Sequence, residues 1–91
     1  MGFYGIISMD VGLKKGLKEQ EKKEIINTLS EFVNFNNDYD NELYFSEESN
    51  FSYGITDDLK SILEKLKANN KIEDATINIW YLEEPDETIY V

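Results

Sequence analysis

The chain reads as one α+β domain of order β-α-β-β-α-β, closed by a short extra strand. Apolar residues alternate with period two near both ends of the chain, and between them two segments carry apolar residues at three- and four-residue steps. Ninety-one residues with 41% apolar and 13% aromatic side chains can build one core, hiding roughly two-thirds of the unfolded surface, but not two. Residues 1–91 are therefore taken as a single domain.

Phe3 to Val11 reads as the first strand, with Phe3, Gly5, Ile7, Met9 and Val11 on one face and Tyr4, Ile6, Ser8 and Asp10 on the other. Gly12 to Gly16 breaks it. Lys18 to Asn36 is helical in pattern, Ile25, Ile26, Leu29, Phe32 and Val33 forming one stripe, with Glu19 and Glu21 suited to its positive end. Asn36-Asn37-Asp38 ends it, and a polar loop follows. Glu42–Ser46 and Phe51–Ile55 are expected as two short strands joined at Glu47–Asn50, with Leu43, Phe45, Phe51, Tyr53 and Ile55 pointing inward. The second helix begins at a capping Thr56, holds Asp57 and Asp58 in its first turn, buries Leu59, Ile62, Leu63 and Leu66, and closes at Asn69-Asn70. Ala75 to Leu82 alternates as a strand; Glu83 to Glu87, with the only proline, is a turn, and Thr88 to Val91 returns as a hairpin strand. This order predicts a ferredoxin-like sandwich, a mostly antiparallel sheet with both helices on one face.

Composition removes most catalytic chemistry. The chain has neither cysteine nor histidine, so disulfides, thiolate zinc, cysteine nucleophiles and histidine acid–base or metal sites are all excluded within it. No enzyme activity, cofactor or metal is expected. Gly12-Leu-Lys-Lys-Gly16 has the wrong spacing, and no following hydroxyl, for a phosphate loop. Asp38 to Glu42 lacks the central glycine and closing glutamate of a calcium loop. Adjacent acids such as Glu47-Glu48 or Glu83-Glu84 read as solvated turns, not a glycosidase pair. Met1 to Val11 lacks the basic start of a secretory signal, and no apolar run approaches the ~20 residues that cross a bilayer. A cytoplasmic site is expected, the host's cytoplasm if the source is a phage.

The net charge of −10 is unevenly placed. Residues 1–37 balance lysines against acids, whereas two later stretches, Asp38–Glu48 and Glu83–Glu87, hold no lysine. Such a field speeds encounter with basic surfaces and repels nucleic acid, so direct nucleic-acid binding is not expected. If both helices cover one face of the sheet, Tyr4, Ile6, Tyr44 and Trp80 lie on the open one among the small Ser8, Ser52 and Gly54. Large aromatics rimmed by charges suit a protein-binding hot spot.

In size, charge and these two acidic segments the chain resembles the small acidic inhibitors that phages direct at host defence, anti-CRISPR proteins among them. Its opening Phe3-Tyr-Gly-Ile-Ile7 and the run Trp80 to Glu87 also look like parts of bacterial toxin-immunity proteins. Both resemblances imply a non-catalytic inhibitor of a basic partner, such as a nuclease or another nucleic-acid-binding protein, blocked by carboxylates that imitate phosphates. The residues expected at that contact are Asp38, Asp40, Glu42, Glu47, Glu48, Glu83, Glu84, Asp86 and Glu87, with Tyr44 and Trp80 as anchors. A second expectation, by analogy of fold, is a regulatory domain that senses a ligand or dimerises through the open face.

Overall fold

A computed structural model of the chain describes residues 2–82 and 84–91. The elements are β1 (Gly2–Leu13), α1 (Glu19–Ser30), β2 (Phe35–Tyr39), β3 (Glu42–Ser52), α2 (Ile55–Ala68), β4 (Ile72–Tyr81) and β5 (Glu87–Tyr90). The strands form one sheet in the order β2-β3-β1-β4-β5, every neighbouring pair antiparallel. The α+β class, the antiparallel sheet and the two helices expected from the sequence are all present.

β1 alternates as read. Ile7, Met9, Val11 and Leu13 are buried, while the residues between them are only partly covered. Ile25 and Leu29 of α1 and Leu59 and Leu63 of α2 enter the same buried cluster as those β1 residues, Leu43 and Phe45 of β3, and Ile77 and Ile79 of β4. Both helices therefore cover one face of the sheet. No polar or charged side chain is buried among the described residues. None of the described helices is long and apolar enough to cross a membrane.

Helix ends follow local chemistry. At α1, Glu21 reaches back to accept a hydrogen bond from the backbone N–H of Lys18 (3.3 Å). α2 begins at Ile55, with Gly54 rather than Thr56 at its cap. At its far end Asn70 takes φ 58°, and the Lys71 N–H reaches Leu66 O at 2.9 Å while the Asn70 N–H reaches Lys67 O at 3.1 Å. This paired closure is the one that asparagine and glycine favour after a helix.

The middle of the chain departs from the sequence reading. α1 stops at Ser30, six residues early, and the Phe32 and Val33 N–H groups turn back to Leu29 O. The asparagine-rich segment expected as a helix end and loop is instead β2. The two short strands expected over 42–46 and 51–55 are one continuous strand, β3, and the hairpin sits at Asp40-Asn41 rather than at Glu47–Asn50. Asp40 supplies the left-handed residue (φ 55°) that a two-residue hairpin requires. β2 lies at the sheet edge, needs little apolar surface, and buries mainly Phe35 against Phe45 (5.3 Å between ring centroids). The polar run 46–50 is strand because β1 pairs with it residue for residue. Tyr53, expected inside, is exposed, and Ile55 is buried from α2 rather than from a strand.

The core sets the stability. Leu59→Ala is expected to cost about 2–5 kcal/mol and Phe45→Ala about 3–5 kcal/mol, whereas Ser52→Ala on the open face should stay within about 0.5 kcal/mol. Urea unfolding of the three variants checks this ranking.

Candidate partner-binding face

All nine lysines lie off the strands. Lys14, Lys15 and Lys18 sit in the β1–α1 connection, Lys22 and Lys23 on α1, Lys60, Lys65 and Lys67 on α2, and Lys71 just after it. The strands instead carry Asp10, Asp38, Glu42, Glu47, Glu48, Glu73, Asp74 and Glu87. Charge is thus divided between layers, with the cations beside the helices and the sheet acidic.

Strand register places each side chain. Around β1 the open face reads Glu42–Gly12–Asp74, then Tyr44–Asp10–Thr76, then Ser46–Ser8–Asn78, then Glu48–Ile6–Trp80. Two acidic zones are separated by a neutral row of hydroxyls and amide. Tyr4, Tyr44 and Trp80 are 42%, 44% and 43% exposed, so about half of each side chain remains available to a partner. No strand contributes a lysine to this face. At its Glu42–Asp74 corner, Lys15 of the β1–α1 connection lines a pocket with both acids.

The two acidic segments of the sequence do not converge. Asp40-Asn41 lies beyond the end of β1, where Asn41 O accepts from the Leu13 N–H at 2.7 Å. The β4–β5 turn follows Tyr81, which is opposite Gly5. From Gly12 to Gly5 along β1 is about 23 Å at ~3.3 Å per residue. The β2–β3 hairpin and the β4–β5 turn also flank opposite edge strands, at diagonal corners of a molecule 41 Å long, while Glu48 at the end of the first segment lies at the Trp80 end.

Among the expected contact residues, Glu42 and Tyr44 share the first corner with Asp40. Glu48 and Trp80 flank Ile6, and Trp80, Asp86 and Glu87 line one groove of about 290 Å³ with Ile6 and Ser8. Glu84 is exposed at the same end, and Glu83 falls outside the described residues. Asp38 and Glu47 are not brought to the open face. Asp38 pairs with Lys22 of α1, and Glu47 Oε1 accepts the Asn34 N–H at 3.0 Å. Asp38 thus fastens the sheet to α1, and Glu47 holds the connection that leads from α1 into β2.

Two open-face acids escaped the sequence reading. Asp10 alternates with buried Met9 and Val11, so its facing was legible although its role was not. Its Oδ1 is shut off from water and has no hydrogen-bond partner among the described residues. Asp74 was hidden by a register shift at Gly12/Leu13. Its Oδ1 would lie 2.6 Å from a Cβ at position 12, so the carboxylate occupies the space that glycine leaves.

Three tyrosines, Tyr4 and Tyr44 on this face and Tyr81 at the edge of the core, have phenols raised above their ordinary range. The hydroxyl of Tyr4 donates to Glu48 Oε2 at 2.6 Å, and this bond raises the phenol above its ordinary range. The charge of Asp10 raises Tyr44, and its role as acceptor adds to that. Burial raises Tyr81, whose hydroxyl also donates to Glu87 at 3.0 Å. Among the described residues no cluster of three or more metal-ligating side chains occurs. No family model matches the chain, and no curated protein or solved structure matches it significantly.

Because the folded phenol of Tyr4 loses its proton later than the unfolded one, its contribution is complete below the ordinary tyrosine value and lost as pH rises through the folded value. Ultraviolet titration of tyrosinate in Glu48→Gln should show one tyrosine ionising earlier than in the unaltered protein. Glu21 is shifted in the opposite sense, lowered first by its hydrogen bond from Lys71 and then by the Lys18 backbone. Its contribution is therefore present above the ordinary carboxyl value and lost as pH falls through the lowered one. The stability gap between Glu21→Gln and the unaltered chain should close in acid, as read by thermal unfolding across that window.

Proposed function

We propose that this domain is a non-catalytic inhibitor that docks its open sheet face on a basic protein surface and blocks it. One observation carries the reading: the exposed face presents Asp10, Glu42, Glu48 and Asp74 around Tyr4, Tyr44 and Trp80, with no lysine in any strand and only Lys15 of the β1–α1 connection near its Glu42–Asp74 corner. Carboxylates so placed attract lysine and arginine as phosphates do, and half-exposed aromatics supply apolar contact area at small entropic cost. A surface that itself binds nucleic acid is the natural complement. This makes an anti-defence inhibitor or an immunity protein the class that fits best, by imitation of DNA at two acidic zones rather than along one unbroken row.

The finer fold belongs to the same proposal. We read a ferredoxin-like sandwich with an added edge strand. The order β2-β3-β1-β4, with both crossovers helical, supports this, β5 being the addition. Homodimerisation through the open face fits less well, because it would stack two acidic surfaces.

The test is a binding series against the partner recovered from native-host extract. Asp10→Asn, Glu42→Gln, Glu48→Gln and Asp74→Asn combined should weaken binding by at least about 10-fold and flatten its dependence on salt. Trp80→Ala should cost about 10-fold or more through lost contact. Affinity equal at low and high salt, and unchanged in the combined variant, would rule out the electrostatic docking face. A defined homodimer by light scattering with no basic partner would favour the regulatory reading instead.

A further inference from the structure

Next to the Trp80 end of the open face lies a cup of about 250 Å³, lined by Phe3, Tyr4, Tyr53, Tyr81, Leu82 and Glu84. Phe3 is its hub. Its ring centroid lies 4.9 Å from that of Tyr81 and 5.8 Å from that of Tyr53, at tilts of 55° and 41°. Gly5 makes the cup possible: a Cβ there would lie 2.2 Å from the Trp80 carbonyl oxygen and 3.5 Å from the Phe3 ring. With no side chain at position 5, Phe3 and Tyr81 close over the strand. Phe3 and Tyr81 pack against the edge of the core, but Tyr53 at 59% and Tyr4 at 42% exposure are not accounted for by it.

The electrostatics have one sign. Aromatic faces are negative, and a cation within about 6 Å of a ring centroid is attracted to them. Tyr4 and Tyr81 direct their hydroxyl protons to Glu48 and Glu87, which places two carboxylates beside the cup, and Glu84 forms part of its wall. The lining residues come from three stretches without lysine: the chain before Lys14, residues 24–59 and residues 72–91. An aromatic or aliphatic guest would strip water from Glu84 without pairing it, which is unfavourable. An ammonium is compact and strongly hydrated. A guanidinium is planar, weakly hydrated, stacks on rings and pairs with a carboxylate through parallel N–H groups.

We infer that this cup is a binding site for an arginine side chain, the guanidinium lying against the tyrosine rings and paired with Glu84. The inference rests on the proposed reading that the partner is a basic protein, and it names the residue type that partner inserts beside the open face.

The probe is a capped glycine–serine peptide with one central arginine, titrated into the full chain and followed by backbone amide shifts. Peptides with lysine or citrulline at the centre serve as controls. Saturable shifts should centre on Tyr53, Leu82 and Glu84, with the citrulline peptide at least about 10-fold weaker. Glu84→Gln and Tyr53→Ala should each weaken the arginine peptide by about 5-fold or more, and Tyr39→Ala, exposed on the far edge strand, should leave it unchanged. Equal binding of arginine and citrulline peptides, shifts centred away from the cup, or no saturable shift would overturn the assignment. If the cup variants hold the peptide normally while the combined open-face variant loses the captured partner, the cup falls and the docking face stands. If the peptide binds as expected but partner binding ignores both salt and the open-face carboxylates, the docking face falls and the cup stands.

Discussion

β1 pairs along nearly its whole length with β3 on one side and β4 on the other, and this double pairing governs the rest of the molecule. Held from both sides, its odd-numbered residues enter the core and its even-numbered ones face away. A slip of one residue would exchange the two sets, burying Asp10 and exposing Met9, so register here is strongly specified. The helices then cover the only face that is apolar enough to need covering. What remains open is decided by the same alternation: Tyr4, Ile6, Ser8 and Asp10 run down the middle of the exposed side, and β3 and β4 add their outward residues beside them.

The separation of charge follows from this layering. Lysines gathered on the helices and their connections can pair with neighbours, as Lys71 does with Glu21 and Lys22 with Asp38. The outward carboxylates of β1, β3 and β4 have no lysine neighbour within the sheet, only Lys15 of the β1–α1 connection near Glu42 and Asp74, so that side carries an excess of negative charge. A surface of this kind contributes nothing to folding. In the proposed reading its chemistry is that of attraction toward positive charge, with the half-exposed rings desolvated on contact.

Pairing also explains why proximity in sequence misleads. Asp38 to Glu48 looks like one acidic segment, yet β2 and β3 send its members to different places. Asp38 and Glu47 turn to the covered side, where Asp38 meets Lys22 of α1 and Glu47 the Asn34 N–H of the α1–β2 connection, while Glu42 and Glu48 turn to the open face about 20 Å apart along the strand. The second segment lands at the opposite corner. The aromatic cup arises from a similar convergence, since Phe3, Tyr53, Tyr81 and Glu84 are distant in the chain and meet only because Gly5 lets β1 and β4 approach closely.

Much of the architecture was legible beforehand because it depends on local period. The inward set of β1, the stripe of α2 and its asparagine closure, the alternation of β4 and the final hairpin strand all follow from spacing and turn chemistry. So do the exposed positions of Tyr4, Tyr44 and Trp80. The middle of the chain was not legible, because β2 is polar and β3 carries Glu47-Glu-Ser-Asn50 through its centre. β3 is held by its pairing with β1, and β2 by its pairing with β3, causes no window of their own sequence contains, although Asp40-Asn41 was a turn signal within reach. Local chemistry therefore determined which residues are apolar, where α2 runs and α1 begins, and which way most side chains face. Only tertiary pairing decided the hairpin, the two acidic corners and the cup, because each depends on contacts between strands far apart in the chain.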